Sequence, residues 1–335
     1  ELGASDVHVV AGLPPKCRKD GQLIDLFPEI LTHDTCEKIA SELAGKLYSK
    51  IEDIGELDLA RTIAGERIRI NLFRQQGSIS AALRILSNQI PKLEQLGLPP
   101  VVSDFPSYRK GIILVTGETG SGKSTTLAAI LNQINHTRTD HIITLEDPIE
   151  YLYDPDKCII NQREIGKDTE SYDDGLRAIL REDPDVILIG EMRDLNTIET
   201  AETGHLVFAT LHTNSAPDSI DRMVGVFPAA RQQQIRLQLS TTLKAVLSQQ
   251  LLVRKSGQGR VAACEVMVVT PAIKNLIREG KTPQMMSSML SGASEGSLTM
   301  DNCLIKMVKE GSISSKTAYE ACNDKEYMKK YVSIR

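Results

Sequence analysis

The sequence predicts an α/β fold whose larger part is a mainly parallel sheet covered by helices on both faces. Three observations carry that prediction. Apolar segments at 112–116, 141–145, 186–190 and 205–211 alternate with helical stretches at 124–135, 171–181 and 191–202, the order that builds parallel strands joined by crossover helices. Between the first strand and the first helix lies Gly117-Glu118-Thr119-Gly120-Ser121-Gly122-Lys123-Ser124, a Gly-x4-Gly-Lys-Ser pattern. Upstream, Arg67 to Arg74 alternates strictly, so that Ile68, Ile70 and Leu72 are expected inward and Arg67, Arg69 and Asn71 outward.

Taken in order, residues 1–95 read as a small α/β domain. Ser5 to Val10 alternates weakly, and Cys36 to Tyr48 places Ile39, Leu43 and Leu47 on one helical face. Ser78 to Leu86 repeats the strand pattern, with Ile79, Ala81, Leu83 and Ile85 on one face and Ser80, Ala82 and Arg84 on the other. Pro91, Gly97, Pro99, Pro100 and Pro106 then mark a boundary, with the linker set at 96–108. The sheet and its helices occupy 109–270, ending in a long amphipathic helix expected over 229–251. Residues 271–335 read as short helices interrupted at Pro271 and at the Gly/Ser-rich stretch 291–297.

Composition narrows the field. At 335 residues the chain can bury two cores. Lys and Arg total 39 against 44 acids, a formal charge of −5, which opposes a surface that coats nucleic acid generally but leaves room for a local basic patch. Cys17, Cys36, Cys158, Cys264, Cys303 and Cys322 are dispersed, with neither a Cys-x-x-Cys pair nor a histidine at zinc-ligand spacing, so reduced thiols and a reducing cytosol are expected. No apolar run approaches the ~20 residues of a membrane span, so membrane association is expected only through a partner. The first residue is Glu1 rather than Met, so a short preceding native stretch is expected.

The chemistry concentrates at strand ends. Gly117, Glu118, Thr119, Gly120, Ser121, Gly122, Lys123, Ser124 and Thr125 form a loop and helix start of the type that holds a nucleoside triphosphate. Glycines let backbone N–H groups converge, the helix N-terminus adds partial positive charge, Lys123 reaches the β and γ phosphates, and Ser124 ligates Mg²⁺. Asp185 to Glu191 reads as a buried strand ending in a carboxylate that can polarise water or hold Mg²⁺ through water; a helix-starting acid would look the same. Glu146-Asp147-Pro148-Ile149-Glu150 follows another strand, where Glu146 can support the metal or its waters and where Asp-Pro also fits a solvated turn. His212 ends a third strand, placed either to sense a γ-phosphate or to serve the fold. Arg61, Arg67, Arg69, Arg74 and Arg84 face a single acid, Glu66, across 61–84. Arg69, Arg74 and Arg84 are the best candidates for charge supplied in trans, the rival being a solvated or nucleic-acid-binding face. With Phe73 the sole aromatic residue there, base stacking is poorly provided for.

These stretches together resemble the secretion and type IV pilus ATPase superfamily, and within it the pilus retraction ATPases. Gly117 to Ser124 is similar to the family's Walker A element, Thr144 to Tyr151 to its Asp box, Asp183 to Asp194 to its Walker B element, and Thr203 to Asn214 to its His box. Ala4 to His8 and Phe73 to Ser78 extend the likeness, which runs essentially end to end. Ala272-Ile273-Lys274-Asn275-Leu276-Ile277-Arg278-Glu279 looks like the retraction motif, with Lys274 in place of arginine. The stretch from Asp194 to Glu202 is about four residues shorter than the family pattern, close to one helical turn. Gly225 stands where an acid is expected. The four-cysteine module and larger N-terminal region typical of extension and type II secretion ATPases are not in these residues.

The resemblance implies a PAS-like N-terminal α/β domain and a RecA-like P-loop NTPase domain with a helical C-terminal tail. It also implies a homohexameric ring in which arginines reach the nucleotide from domain interfaces. The expected function is ATP hydrolysis with Mg²⁺ to drive type IV pilus retraction, at the inner face of the cytoplasmic membrane, through an inner-membrane platform protein and without a nucleic-acid partner. Competing readings are a related motor for pilus extension, type II secretion or conjugative transfer, a nucleotide switch without turnover, and a nucleic-acid translocase using the 61–84 strip.

Overall fold

In a computed structural model the described residues, 4–19, 22–86, 89–192 and 196–332, divide into two units. The first comprises Glu1–Gln89 with Pro148–Leu152, and the second Ile90–Asp147 with Tyr153–Arg335. In the first unit, strands β1 (Asp6–Val9), β2 (Lys16–Lys19) and β3 (Gln22–Asp25) precede helices α1 (His33–Ala44) and α2 (Tyr48–Ile54), and β4 (Glu56–Ile63), β5 (Glu66–Gln75) and β6 (Ser78–Leu86) follow. The six strands form one sheet in the order β3-β2-β1-β6-β5-β4, every neighbouring pair antiparallel.

Helix α1 starts where the Thr32 hydroxyl accepts from the Thr35 N–H, a side-chain N-cap. Its fully buried face is Cys36, Ala40 and Ala44, with Ile39 and Leu43 only half-buried beside it. The stripe expected over Ile39, Leu43 and Leu47 is therefore rotated, because the small side chains let the helix approach the sheet closely while the larger ones flank the contact. On β5, Ile70 and Leu72 are buried as their spacing requires. Arg67, expected outward, is instead buried: its Nε donates to the Ile149 carbonyl at 3.3 Å, since Pro148–Leu152 belongs to this unit. Ile85, read as inward, is exposed near the end of β6.

The second unit holds β7 (Gly111–Thr116), α3 (Lys123–Thr137), β8 (His141–Glu146), β9 (Ile159–Glu164), α4 (Tyr172–Ile179), β10 (Val186–Ile189), α5 (Asn196–Glu202), β11 (Leu206–Leu211), α6 (Ala216–Gly225), α7 (Ala229–Thr242), β12 (Leu243–Val253) and β13 (Arg260–Val268). The sheet order is β13-β12-β7-β11-β10-β8-β9, parallel throughout except for the antiparallel edge pair β12–β13. Strands β7, β10 and β11 are buried at every position, as strands covered on both faces are. The long helix expected over 229–251 ends at Thr242, and Leu243–Val253 is a strand inserted between β7 and β13. Local preference misleads here. The segment is rich in Leu, Lys, Ala and Gln, all good helix formers, and its place in the sheet overrides them.

The Pro-rich stretch before β7 is structured: Pro100–Ser107 coils as a 3₁₀ helix with Val102 and Phe105 buried. Arg138, just past α3, donates to the carbonyls of Pro106 at 2.9 Å and Tyr108 at 2.7 Å and pairs with Asp140. The tail forms α8 (Pro271–Glu279), α9 (Met285–Ser291), α10 (Met300–Lys309), α11 (Ser315–Ala321) and α12 (Lys325–Tyr331). Thr270, Thr299, Ser314 and Asp324 cap α8, α10, α11 and α12, and Pro271 opens α8 in its first turn. Residues 193–195 lie outside the described residues, and with them part of the shortened stretch after Asp194. All six cysteines are buried and unbridged. Among the described residues no helix is long and apolar enough to cross a membrane.

Arg138 is 8 % exposed and holds two carbonyls and the Asp140 carboxylate, so Arg138→Met strands the two carbonyls and leaves Asp140 to Arg109 at 3.5 Å. Breaking such a buried pair typically costs about 3–5 kcal/mol. Chemical denaturation should show a loss in that range with an unchanged m-value.

Candidate functional site

Parallel pairing decides where the candidate residues meet. Strands β7, β11, β10 and β8 are consecutive neighbours running the same way, with Thr116 opposite Leu211, and Ile189 opposite both Ala209 and Leu145. Their C-terminal ends therefore share one edge, which carries the glycine loop after β7, His212 after β11, Glu191 after β10 and Glu146 at the end of β8. Open α/β sheets bind ligands at this edge. Strands lie about 4.8 Å apart, so Glu191 starts two strands, roughly 10 Å, from the loop, and Glu146 three strands, roughly 14 Å.

The loop itself is built by glycine backbone states. Gly117, Gly120 and Gly122 have φ of 139°, 81° and 94°, and the Ser121 N–H donates to the Glu118 carbonyl at 3.1 Å. Gly117 is also sterically obligatory: a Cβ there would fall 2.3 Å from the Gln249 carbonyl oxygen and 2.6 Å from the Ser121 Oγ. Helix α3 begins at Lys123 after a glycine N-cap, Gly122, with no side-chain cap, so the positive end of its dipole opens onto the loop. Lys123 is buried, and its Nζ donates to the carbonyls of Gly117 at 2.7 Å and Glu118 at 2.9 Å. An ammonium folded back into a loop of this shape can hold an anionic oxygen in the same place. Ser124 and Thr125 follow in the first turn, both half-buried, while Glu118, Thr119 and Gly120 are exposed.

The acidic and histidine ends are fixed by their neighbours. Glu146 Oε1 accepts from Thr144 Oγ1 at 2.6 Å and from Gln162 Nε2 at 3.3 Å. Glu191 is half-buried, held between Gly190, whose N–H donates to Leu145 O at 2.8 Å, and Met192, whose N–H donates to Thr210 O at 3.0 Å. The Thr210 hydroxyl donates to the Gly190 carbonyl. His212 is exposed and begins a four-residue turn into α6. In that turn Asn214 Nδ2 reaches Glu118 Oε1 at 3.3 Å, and Thr213 Oγ1 and Ser219 Oγ stand 2.6 Å apart.

A family model described as type II/IV secretion system protein matches residues 59–320. The chain belongs to that family. It is 47 % identical over 324 residues to the Pseudomonas aeruginosa protein named type IV pilus retractation ATPase PilT, covering 95 % of this chain and 94 % of that one. A Neisseria gonorrhoeae twitching motility protein is 46 % identical over 266 residues, covering 78 % of this chain and 71 % of that one. The crystal structure of the pilus retraction motor PilT with bound ADP superposes with a TM-score of 0.91 at 48 % identity, covering 98 % of this chain and 96 % of that one. The α/β fold of this secretion-family chain, with its helical C-terminal tail, is thus the fold of that motor.

Arg69, Arg74 and Arg84 belong to the first unit, and the strands of this edge to the second. Arg69 and Arg84 are cross-strand partners on β5 and β6. Arg69 pairs with Asp58 at 2.6 Å and Arg84 with Asp6 at 2.9 Å, while Arg74 is exposed towards the end of β5. Burial acts to raise the Asp6 carboxyl, but the Ser5 hydroxyl and the Arg84 guanidinium outweigh it and hold Asp6 below the usual aspartate value.

Sequence reasoning missed the residues that β12 brings to the site. Ser248 Oγ lies 2.8 Å from Thr116 Oγ1 at the base of the glycine loop, and Gln249, 2 % exposed, packs under Gly117 and Gly122. Reading 229–251 as a helix hid both. Gln162, which holds Glu146, comes from β9, a strand the apolar pattern did not reveal because only Ile159 and Ile160 are apolar in it.

Gly117→Ala should lower the unfolding free energy by about 1–3 kcal/mol, the usual cost of forced backbone strain. Gly120→Ala, where a Cβ meets nothing within 4 Å, should lose less. Thermal unfolding of the two variants side by side checks the order.

Proposed function

We propose that this chain is a homohexameric motor that hydrolyses ATP to ADP and phosphate and uses the cycle to retract type IV pili. The observation that carries this reading is the edge of four parallel strands, with its glycine loop, two carboxylates and a histidine, in a chain 47 % identical along 95 % of its length to a pilus retraction ATPase. Its place is the inner face of the cytoplasmic membrane, reached through a platform protein of the pilus machinery.

In this reading the loop from Gly117 to Thr125 cradles the phosphates, and Lys123 exchanges the carbonyls of Gly117 and Glu118 for phosphate oxygens. Mg²⁺ fits the residues present. It is usually held by nucleotide phosphates and waters with one or two protein ligands, and the Ser124 hydroxyl and Glu191 are donors of that kind. When bound it neutralises charge on the phosphates. Glu191, two strands from the loop, is near enough to orient and deprotonate an attacking water. Glu146, one strand further, supports that water or the metal's water shell rather than the phosphate itself. His212 reads the γ-phosphate from β11, the strand next to the loop.

Arg69, Arg74 and Arg84 supply charge in trans across ring interfaces. The Arg84 side chain is 66 % exposed, although that of its partner Asp6 is only 18 % exposed, so the guanidinium is open to a phosphate from the solvent side.

Glu191→Gln should leave ADP affinity nearly intact while steady-state phosphate release falls about 10²–10⁴-fold. Near-normal turnover would remove Glu191 from its role. Arg84→Ala should lower specific activity in assembled rings more than it lowers nucleotide affinity, and an unchanged activity would exclude it as a trans residue. In the host, deleting the gene should leave cells hyperpiliated and unable to twitch, with recovery on complementation. Bald cells would assign the motor to extension instead.

A further inference from the structure

Glu265 is an acidic side chain with no place in the proposed chemistry, yet it is fully buried on β13. Its Oε1 accepts from the N–H of Ala216 at 2.7 Å and its Oε2 from the N–H of Met300 at 3.3 Å. Those are the first residues of α6 and α10. The ordinary caps of the two helices, Ser215 and Thr299, accept from the N–H groups of Asp218 and Asn302, further into the first turn. The N–H at the head of each helix is therefore left for Glu265, and two positive helix ends converge on one carboxylate.

The position of this staple matters because of its neighbours. Glu265 pairs across the sheet with Ser248, which pairs with Thr116, so the three residues form a row ending at the base of the glycine loop. On the other side, four residues separate Ala216 from the end of β11, namely His212, Thr213, Asn214 and Ser215. Ser219 Oγ donates to Ser215 O at 2.7 Å and Asn214 reaches Glu118, so the turn has little slack. Moving the head of α6 moves His212. Met300 at the other oxygen opens a helix whose apolar face packs with Ile313, Ala318 and Met328 in the C-terminal bundle.

We propose that Glu265 is a positioning residue for hydrolysis: it fixes the His212 turn against the glycine loop and makes the head of α10 shift with that turn. The inference rests on the ATPase reading above. A carboxylate suits the task because each oxygen accepts one N–H; the amide of glutamine has the same shape but only one accepting oxygen, so it must leave one helix head unpaired. Burial, aided by the nearby Asp301 and Asp218 carboxylates, holds the Glu265 carboxyl above the usual glutamate value even though the two N–H groups pull it down.

The test compares full-length wild type, Glu265→Gln and Ser314→Ala. The last removes the hydroxyl that caps α11 in the same bundle and serves as the purely structural control. Glu265→Gln should lose about tenfold or more in kcat for phosphate release. KM and ADP affinity should stay within about threefold of wild type. Ser314→Ala should lower Tm and leave kcat unchanged. A wild-type kcat in Glu265→Gln, a loss confined to ADP affinity, or an equal kcat loss in Ser314→Ala overturns the proposal. Should Glu265→Gln fail to fold, hydrogen exchange on the wild type decides: ADP must alter protection at 212–218 and 299–303 together, and a change at 212–218 alone overturns it. A wild type that releases no phosphate would defeat the ATPase reading itself, whereas a hydrolysing wild type matched by Glu265→Gln defeats only this inference.

Discussion

The parallel hydrogen-bonded register of β7, β11, β10 and β8 is the constraint on which the rest of the second unit depends. Parallel neighbours need crossover helices, and those helices bury both faces of the sheet, which is why the four strands are dominated by apolar residues, Ile, Leu and Val with Phe208 and Ala209. The same register puts every polar residue that follows a strand at one edge. Glycine loop, histidine and carboxylates are separated in sequence by up to 96 positions, as in the Glu118 to Asn214 bond, and are brought together by strand order alone. A slip of one residue in any of these strands would exchange its two faces and displace its terminal group by about 3.3 Å along the strand.

The legibility of each part in the sequence follows from how local its cause is. The glycine loop was readable because three backbone turns, a capless helix start and a buried lysine all require particular residue types at fixed spacing. Strands β7, β8, β10 and β11 were readable because burial on both faces demands apolar runs. Strand β12 was not, since Leu, Lys, Ala and Gln favour a helix locally and only its insertion beside β7 makes it a strand; with it went Ser248 and Gln249. Arg67 failed for a related reason. Alternation along β5 placed it correctly on the polar face, but a five-residue piece from 82 positions away covers that face and accepts its hydrogen bond. Non-local cover of this kind leaves no trace in the pattern of the strand it covers.

That five-residue piece also bears on how the two units are joined in the chain. Glu146 and Asp147 belong with the sheet of the second unit, whereas Pro148–Leu152 belongs with the first, and one peptide bond separates Asp147 from Pro148. Arg67 anchors the piece through the Ile149 carbonyl, a bond of a buried charged donor that resists replacement by water. The chain passes between the two units at Gln89–Ile90 and at each end of this piece, and the junction at Asp147–Pro148 comes directly after Glu146 and Asp147. Glu146 itself is held by Thr144 and Gln162, both on strands of the second unit. On the motor reading proposed above, the Asp147–Pro148 peptide is then the covalent link between the two units that lies nearest Glu146.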